Sequence, residues 1–132
     1  MKILLVDDEQ AMLDIIGHVL QKQGYEILTA MTGNEALAKI ASEKPNLIFL
    51  DQILPDMNGN QVLEAIKKDP TTKQIPVAIL SNYNQQELVD KAIAMGAADY
   101  IFKYQIDPQD ISQKVKQMLD ESNAAQTQPP KV

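Results

Sequence analysis

The sequence Leu47-Ile48-Phe49-Leu50 leads directly into Asp51, and this stretch decides the fold class. Its four apolar residues run without interruption, which is typical of a parallel strand covered by helices on both faces. Runs of the same kind recur at residues 3–6, 77–80 and 100–102. A fifth stretch, residues 25–30, alternates apolar with polar positions, which suits an edge strand better than a central one.

Helical patterns fill the intervals between these five candidate strands. Apolar residues at helical spacing form two stripes, one of Met12, Ile15, Ile16, Val19 and Leu20 and the other of Ile111, Val115, Met118 and Leu119. Three signals mark helix starts: the candidate capping boxes Thr32 with Glu35 and Asn84 with Glu87, and the cap residue before proline in Asp107-Pro108. Gly24 and Gly96 lie where helices are expected to end. The alternation predicts an α/β fold of the (βα)5 type, a doubly wound, five-stranded parallel sheet with right-handed crossovers.

Composition and charge exclude several classes of protein. The 132 residues are 45% hydrophobic and 23% charged, as in one globular domain of ordinary size. The sequence contains no cysteine, which excludes disulfides, thiolate metal sites and thiol catalysis. The formal net charge of −6 argues against DNA binding by this domain alone, because phosphate contacts need clustered Lys and Arg.

The two ends of the chain give further expectations. The apolar N-terminal run reaches acid at Asp7, too soon for a signal-peptide core or a membrane span. We therefore expect a soluble, cytoplasmic domain that makes no contact with a membrane. At the other end, residues 122–132 are polar and include Pro129-Pro130, which indicates a disordered tail or the start of a linker. The folded domain is accordingly expected to span residues 1–121.

Five polar residues end or follow the apolar runs, namely Asp7, Asp8, Asp51, Ser81 and Lys103. In an open parallel sheet, ligands bind at the carboxyl ends of the strands, where the strand order reverses. Three carboxylates meeting there would raise their pKa values by mutual repulsion unless a positive charge compensates. A hard divalent cation such as Mg²⁺ does so through carboxylate oxygens, a backbone carbonyl and waters, and Lys103 supplies a further positive charge.

Each of these residues has an ordinary explanation when it is taken alone, as a turn, a helix start, a local backbone bond or a surface charge. Because all of them fall at successive strand ends, the probability that ordinary explanations account for the whole set is below about one in twenty. His18 is the single histidine. It lies on the polar side of the first predicted helix, so a solvated helix residue explains it better than a base or a phosphoryl relay.

Four segments of the sequence resemble the signature segments of response-regulator receiver domains of two-component signalling. They are Leu-Leu-Val-Asp-Asp-Glu at 4–9, Leu-Asp-Gln-Ile-Leu-Pro-Asp-Met-Asn-Gly at 50–59, Leu-Ser at 80–81 and Gly-Ala-Ala-Asp-Tyr-Ile-Phe-Lys at 96–103. The resemblance covers residues 1–121, and the order and spacing of the segments make it specific. It implies a chemotaxis-regulator-like, flavodoxin-like sheet of strand order 2-1-3-4-5 and a phosphorylation-activated signalling switch.

The resemblance also implies a role for each site residue. Asp51 would be the phosphoacceptor and a ligand of Mg²⁺ or Mn²⁺. Asp8 would be a direct metal ligand, Asp7 would act through a metal-bound water, and the backbone carbonyl of Ile53 would be a further ligand. Lys103 would pair with the phosphoryl oxygens.

Signalling would depend on a switch and on two kinds of partner. By the same resemblance, Ser81 would hydrogen-bond the phosphoryl group, and Ser81 together with Tyr100 would form the switch. The phosphodonor would be a sensor histidine kinase or a phosphotransfer protein. A downstream effector, or a second copy of the chain, would bind through roughly residues 85–120.

The sequence departs from the family's usual pattern at Gln52, Asn82 and Tyr104. Three residues near the phosphoacceptor would tune access and hydrolysis, which are Ile53, Asn82 and Tyr83. Ile53 and Tyr83 carry no carboxylate or amide to hold an attacking water, and Tyr83 is bulky enough to shield the site. The Asn82 amide would have the opposite effect, because it can hydrogen-bond a water and so favour hydrolysis. On balance, we expect a comparatively long-lived aspartyl phosphate.

Three other functions fit the sequence less well than a phosphorylation-activated switch. A Mg²⁺-dependent phosphatase with an aspartyl-phosphate intermediate needs a second acid two residues after the nucleophile, where this chain has Ile53. A receiver-like scaffold that is never phosphorylated would have lost an acidic or Lys position, and none is lost. A flavin-binding fold needs a phosphate-cradling loop after the first strand, where residues 7–9 would repel a phosphate. We therefore expect a regulatory domain that assists only its own phosphorylation and dephosphorylation, not an enzyme.

Overall fold

The computed structural model describes residues 1–82, 85–103 and 107–127. Strands and helices alternate without exception in these ranges, as the sequence predicted. The elements are β1 (Lys2–Val6), α1 (Gln10–Lys22), β2 (Glu26–Ala30), α2 (Gly33–Glu43), β3 (Leu47–Asp51), α3 (Gly59–Lys68), β4 (Val77–Ser81), α4 (Gln86–Ala94), β5 (Asp99–Phe102) and α5 (Pro108–Thr127).

All five strands are parallel and form one sheet of order β2-β1-β3-β4-β5. The (βα)5 fold and the strand order 2-1-3-4-5 are thereby confirmed. The alternating strand β2 lies at an edge, as its pattern indicated. The chain leaves β1 toward β2 on one side and later returns to place β3 on the other side. The carboxyl ends of β1 and β3 therefore flank the crevice where ligands bind in such sheets.

The core lies on both faces of the sheet, which explains why the central runs are continuously apolar. One face packs against α1 and α5, with Leu5, Phe49 and Leu80 pointing toward them. The other face packs against α2, α3 and α4, with Leu50 and Ile79 among the strand residues there. Burial of successive residues on opposite faces leaves the strands without a polar side until they reach the carboxyl edge.

The described helix ends fall at the predicted residues, but only the Thr32 half of the first candidate capping box is formed. The Thr32 hydroxyl accepts a hydrogen bond from the backbone N–H of Glu35 at 3.0 Å, although the Glu35 carboxylate accepts from the N–H of Met31 and not from that of Thr32. Asp107 accepts from the N–H of Gln109 at 3.0 Å, just before α5. Gly24 and Gly96 have φ of 93° and 103°, the left-handed region expected after a helix. Asn84 lies outside the described residues.

One expectation about the helices needs correction. The predicted apolar stripe of α1 includes Ile15, but Ile15 is 50% exposed and Leu13 takes its place in the core. The stripe of α5 is confirmed, because all four of its residues are buried.

Helix α5 continues to Thr127, past residue 122, from which a disordered tail or the start of a linker is expected. Residues 122–127 contain neither Gly nor Pro, so their polarity indicated exposure but did not prevent helix formation. The domain boundary at residue 121 stays a prediction. In the part of the chain that the structure describes, no helix is long and apolar enough to cross a membrane.

Candidate functional site

The five predicted site residues meet at the carboxyl edge of the sheet. Asp51 is the last residue of β3 and Ser81 the last of β4, while Asp7 and Lys103 directly follow β1 and β5. Parallel register keeps these positions level, because Asp51 pairs with Leu80 and the next residue, Ser81, pairs with Phe102. The local apolar runs thus end at the same height, and each run delivers its first polar side chain to one place.

Three carboxylates form the acidic part of the site. Asp7, Asp8 and Asp51 each offer an oxygen, and these oxygens lie within 4.8 Å of one another. Asp7 and Asp51 are buried, whereas Asp8 is exposed. A divalent cation placed among them would find hard oxygen ligands on the protein side and water on the side of Asp8. The donor set therefore fits Mg²⁺ or Mn²⁺.

The buried Lys103 side chain forms ion pairs with several acids of the site. Its Nζ lies 2.7 Å from Asp7 Oδ2, 3.2 Å from Asp51 Oδ2 and 3.6 Å from Glu9 Oε1. Burial opposes a charge on Lys103, but the hydrogen bond with Asp7 and the negative charge of Asp51 outweigh it, so the pKa of Lys103 is raised above its usual value. The amine is therefore held as a cation beside Asp51.

The surroundings of the Asp51 carboxyl group disfavour its charged form. Its burial and then the charge of Asp7 raise the pKa of Asp51 to about 6, although Lys103 and the N–H of Ile53 act in the opposite direction. The N–H of Ile53 lies 3.4 Å from Asp51 Oδ1. The single positive charge of Lys103 thus does not offset the effect of burial and of the Asp7 charge on Asp51. A further positive charge at this edge would be stabilised, which agrees with the donor set.

A cavity of about 220 Å³ opens beside Asp51. Its lining consists of Asp8, Glu9, Asp51, Ile53, Asn82 and Lys103. Since one water takes about 30 Å³ in the liquid, the cavity has room for a phosphoryl group together with several waters. Asp51 is thus buried by the protein around it and still reachable from one side.

The two predicted switch residues do not line this cavity, although Ser81 directly precedes Asn82, which does. Ser81 is fully buried. Tyr100 is half-buried, and its ring centroid lies 5.7 Å from that of Phe102. The Tyr100 hydroxyl is buried and has no hydrogen-bond partner among the described residues.

Other sequence expectations fall differently. Ile53 and Asn82 do line the cavity, but Tyr83 and Tyr104 lie outside the described residues. His18 is exposed on α1 and lies away from the site, beside a groove between α1 and β2. The roles assigned to individual site residues stay predictions at this point.

Sequence reasoning missed three contributors to the site. Glu9 is the third acid of the Asp7-Asp8-Glu9 run and reaches Lys103, a proximity that the run itself could have suggested. Asp56, in the loop after β3, accepts hydrogen bonds from the N–H groups of Gly33 and Asn34 at 2.7 and 2.9 Å and so ties that loop to the start of α2. Gln52 is a buried amide between β3 and α3.

Comparison with known proteins agrees with the geometry. The family model of the response regulator receiver domain matches residues 3–116. Protein PilH of Pseudomonas aeruginosa is 32% identical over 102 residues, which make up 77% of this chain and 84% of PilH. The crystal structure of a CheY-like response regulator receiver domain protein from Methanospirillum hungatei superposes with a TM-score of 0.88 at 36% identity, covering 94% of this chain and 97% of that one.

Longer regulators contain the same unit. The alkaline phosphatase synthesis transcriptional regulatory protein PhoP of Bacillus subtilis is 33% identical over 124 residues, which are 94% of this chain and 50% of PhoP. The chain thus spans about half the length of that relative. The family model, the relatives and the fold agree, and the chain belongs to the response regulator receiver domain family, whose members are phosphorylation-activated regulatory switches.

Proposed function

We propose that Asp51 is the phosphoacceptor of this receiver domain and takes its phosphoryl group from a sensor histidine kinase or a phosphotransfer protein. The observation that carries the proposal is the position of the Asp51 carboxylate. It is the last residue of a buried strand, 3.2 Å from the Lys103 ammonium, and it lines a cavity large enough for a phosphoryl group.

The reaction needs little covalent help from the protein. An oxygen of the Asp51 carboxylate attacks phosphorus, a P–O bond forms, and the P–N bond of the donor's phosphohistidine breaks. The released imidazole nitrogen keeps the electron pair of that bond. Such a transfer depends on positioning and charge neutralisation. The protein supplies positioning by fixing Asp51 at a strand end.

Lys103 supplies part of the charge neutralisation. Its ammonium is buried and already shared between Asp7 and Asp51. When Asp51 becomes an aspartyl phosphate, the new oxygens carry more negative charge than the carboxylate did. Lys103 then pairs with a phosphoryl oxygen while Asp7 keeps its ammonium in place.

Asp8 and Asp51 would hold the metal directly, together with the carbonyl of Ile53, and Asp7 would hold it through a water. Bound there, Mg²⁺ or Mn²⁺ supplies additional positive charge to the transferring group. The surplus of acid over base at this edge, and the raised pKa of Asp51, support this assignment.

Ser81 and Tyr100 would convert the modification into a signal. Ser81 ends β4 one residue after Leu80, the register partner of Asp51, and we expect its hydroxyl to turn toward the phosphoryl group and hydrogen-bond it. A shift of Ser81 and of the segment after it would change the surroundings of the Tyr100 hydroxyl, which has no hydrogen-bond partner among the described residues. Both movements act on roughly residues 85–120, the surface proposed for an effector or a second copy of the chain. Ile93 of α4, 50% exposed, gives that surface an apolar contact point.

The lifetime of the aspartyl phosphate would be set by the cavity lining. Ile53 is 49% exposed at the rim and offers no group that holds a water. Asn82 lines the same cavity and carries an amide that can hold one. A comparatively long-lived phosphorylated form therefore stays our proposal, as do a cytoplasmic location and the absence of DNA binding by this domain alone.

The experiment that tests the proposal is intact-mass analysis after incubation with acetyl phosphate and Mg²⁺. We expect the mass of one phosphoryl group on the wild type and on the control variant Asp120→Asn, whose exposed carboxylate lies in α5. Asp51→Asn should gain none, and neither should the wild type in excess chelator. Equal phosphorylation of Asp51→Asn, or of the wild type without metal, would contradict the assignment.

A further inference from the structure

Gln52 stands directly after Asp51 and is 1% exposed, an unusual place for a polar side chain. Asn60, the second residue of α3, is 6% exposed and faces it. The Gln52 Nε2 donates to Asn60 Oδ1 at 3.2 Å, and the Asn60 N–H donates to Gln52 Oε1 at 3.0 Å. The Gln52 amide therefore bonds both the side chain and the backbone N–H of Asn60, across the loop that leaves the site.

The backbone of Gln52 makes two further connections. Its N–H donates to the carbonyl of Leu80, the residue before Ser81, at 2.9 Å. Its carbonyl accepts from the N–H of Gly59 at 2.7 Å. One residue thus links the phosphoacceptor strand, the end of β4 and the start of α3.

The start of α3 is pressed closely against this residue. A Cβ at Gly59 would lie 2.6 Å from the carbonyl oxygen of Asp51 and 3.0 Å from the Cα of Gln52. Asn58 and Ile53 close the intervening loop with an isolated antiparallel bridge. The path of the loop, and with it the place of the Ile53 backbone, is therefore fixed at its base by the Gln52–Asn60 pair.

Stability does not explain the whole arrangement. The Gln52 Oε1 satisfies the backbone N–H of Asn60, but the bond between the two side chains could be replaced by apolar groups of the same shape with little loss of stability. Hydrogen bonds differ from apolar contacts in being directional, and the groups that orient metal ligands strongly affect metal affinity.

We propose that Gln52, held by Asn60, is a positioning residue for the divalent metal site. This inference rests on the proposed function, because it concerns the same site. The amide pair fixes the segment from Asp51 to Ile53 so that its oxygen ligands are arranged before the metal arrives. Loss of the pair should lower Mg²⁺ affinity more than it lowers the stability of the metal-free protein.

The test compares Mg²⁺ affinity, measured by isothermal titration calorimetry, with urea unfolding in excess chelator. Gln52→Met keeps the length of the side chain and removes both hydrogen bonds, and Asn60→Ala removes one. We expect Gln52→Met to bind Mg²⁺ about 10-fold more weakly or worse, as is typical when a group that orients metal ligands is lost. Asn60→Ala should lose part of that affinity, and the double variant should bind no more weakly than Gln52→Met.

A matched control is Ile40→Val, a core substitution in α2 that lowers stability and should leave Mg²⁺ affinity unchanged. Wild-type affinity in both Gln52→Met and Asn60→Ala, with only their stability reduced, would overturn the inference and leave the metal site standing. No Mg²⁺ binding by the wild type would overturn the proposed metal site and the inference together. If Gln52→Met does not fold, Asn60→Ala alone decides the comparison.

Discussion

Replacing Asp51 by Asn should stabilise the metal-free protein at neutral pH, although it destroys the proposed phosphoacceptor. The wild-type carboxylate is charged at pH 7.5 in a place that disfavours the charge, because burial and Asp7 raise its pKa to about 6. Asn fills the same space without a charge. Lys103 is not left alone by the change, since it stays 2.7 Å from Asp7.

The size of the effect follows from the shift of the pKa. The ordinary value is 3.8 and the folded value is about 6, so the shift of roughly two units sets a ceiling of about 3 kcal/mol at 1.36 kcal/mol per unit. The carboxylate keeps access to water through the cavity, which weakens the interaction. We therefore expect the free energy of unfolding of Asp51→Asn to exceed that of the wild type by about 1–3 kcal/mol at pH 7.5.

The pH dependence has a definite sign. A raised folded pKa means that the folded state holds the proton more tightly than the unfolded state does. The contribution of Asp51 to wild-type stability is therefore most favourable below pH 3.8 and is lost as the pH rises through about 6. The advantage of Asp51→Asn should accordingly be absent at the acidic end and reach its full size above pH 6.

The assay is urea unfolding followed by far-UV circular dichroism in excess chelator at several pH values. Asp120→Asn serves as the control for loss of one negative charge from a chain of formal net charge −6, and it should show no such pH-dependent gain. Saturating Mg²⁺ should close or reverse the gap, because only the wild type keeps all three carboxylates. If Asp51→Asn were less stable than the wild type at pH 7.5 without metal, the crowding of charge inferred at this site would be refuted.

Three further predictions concern single positions. Asp8→Asn should abolish most of the rise in melting temperature that millimolar Mg²⁺ gives the wild type, since it removes a direct ligand, and an undiminished rise in scanning calorimetry would contradict that role. Ile53→Asn should speed the loss of the phosphoryl group, followed by intact mass over time, because its amide can hold an attacking water, and an unchanged rate would argue against control of hydrolysis by this position. Lys44→Gly should raise the free energy of unfolding by about 0.5–1 kcal/mol, because Lys44 directly follows α2 with a φ of 48°, in the left-handed region. In urea unfolding, Lys44→Ala should show no such gain, and an equal gain would exclude backbone strain as the cause.

The strands and the site could be predicted from the sequence because one physical fact produces both. A strand buried on two faces must be apolar along its length, and its first polar residue marks the carboxyl edge. The structure still extends β3 and β4 by one residue, to Asp51 and Ser81. Sequence reasoning ended them at the last apolar residue, whereas the parallel hydrogen bonding continues through the polar one.

Contacts between distant residues could not be predicted in the same way. Asp56 bonds the start of α2 more than twenty residues earlier in the chain, and no local pattern announces that pairing. The Gln52–Asn60 pair spans a loop whose path depends on how α3 packs against the sheet. Ile15 was assigned to the core because helical spacing defines a stripe but not its precise angle toward the sheet.

The position of the acyl phosphate in the chain decides directly whether Asp51 is the phosphoacceptor. The protein is phosphorylated with acetyl phosphate and Mg²⁺ and then reduced with borohydride, which converts a phosphorylated aspartate into homoserine. Peptide mass mapping then locates the change. We expect homoserine at position 51 and at no other aspartate. Homoserine at Asp7 or Asp8 with an unmodified Asp51, or no conversion at all, would contradict the assignment of Asp51.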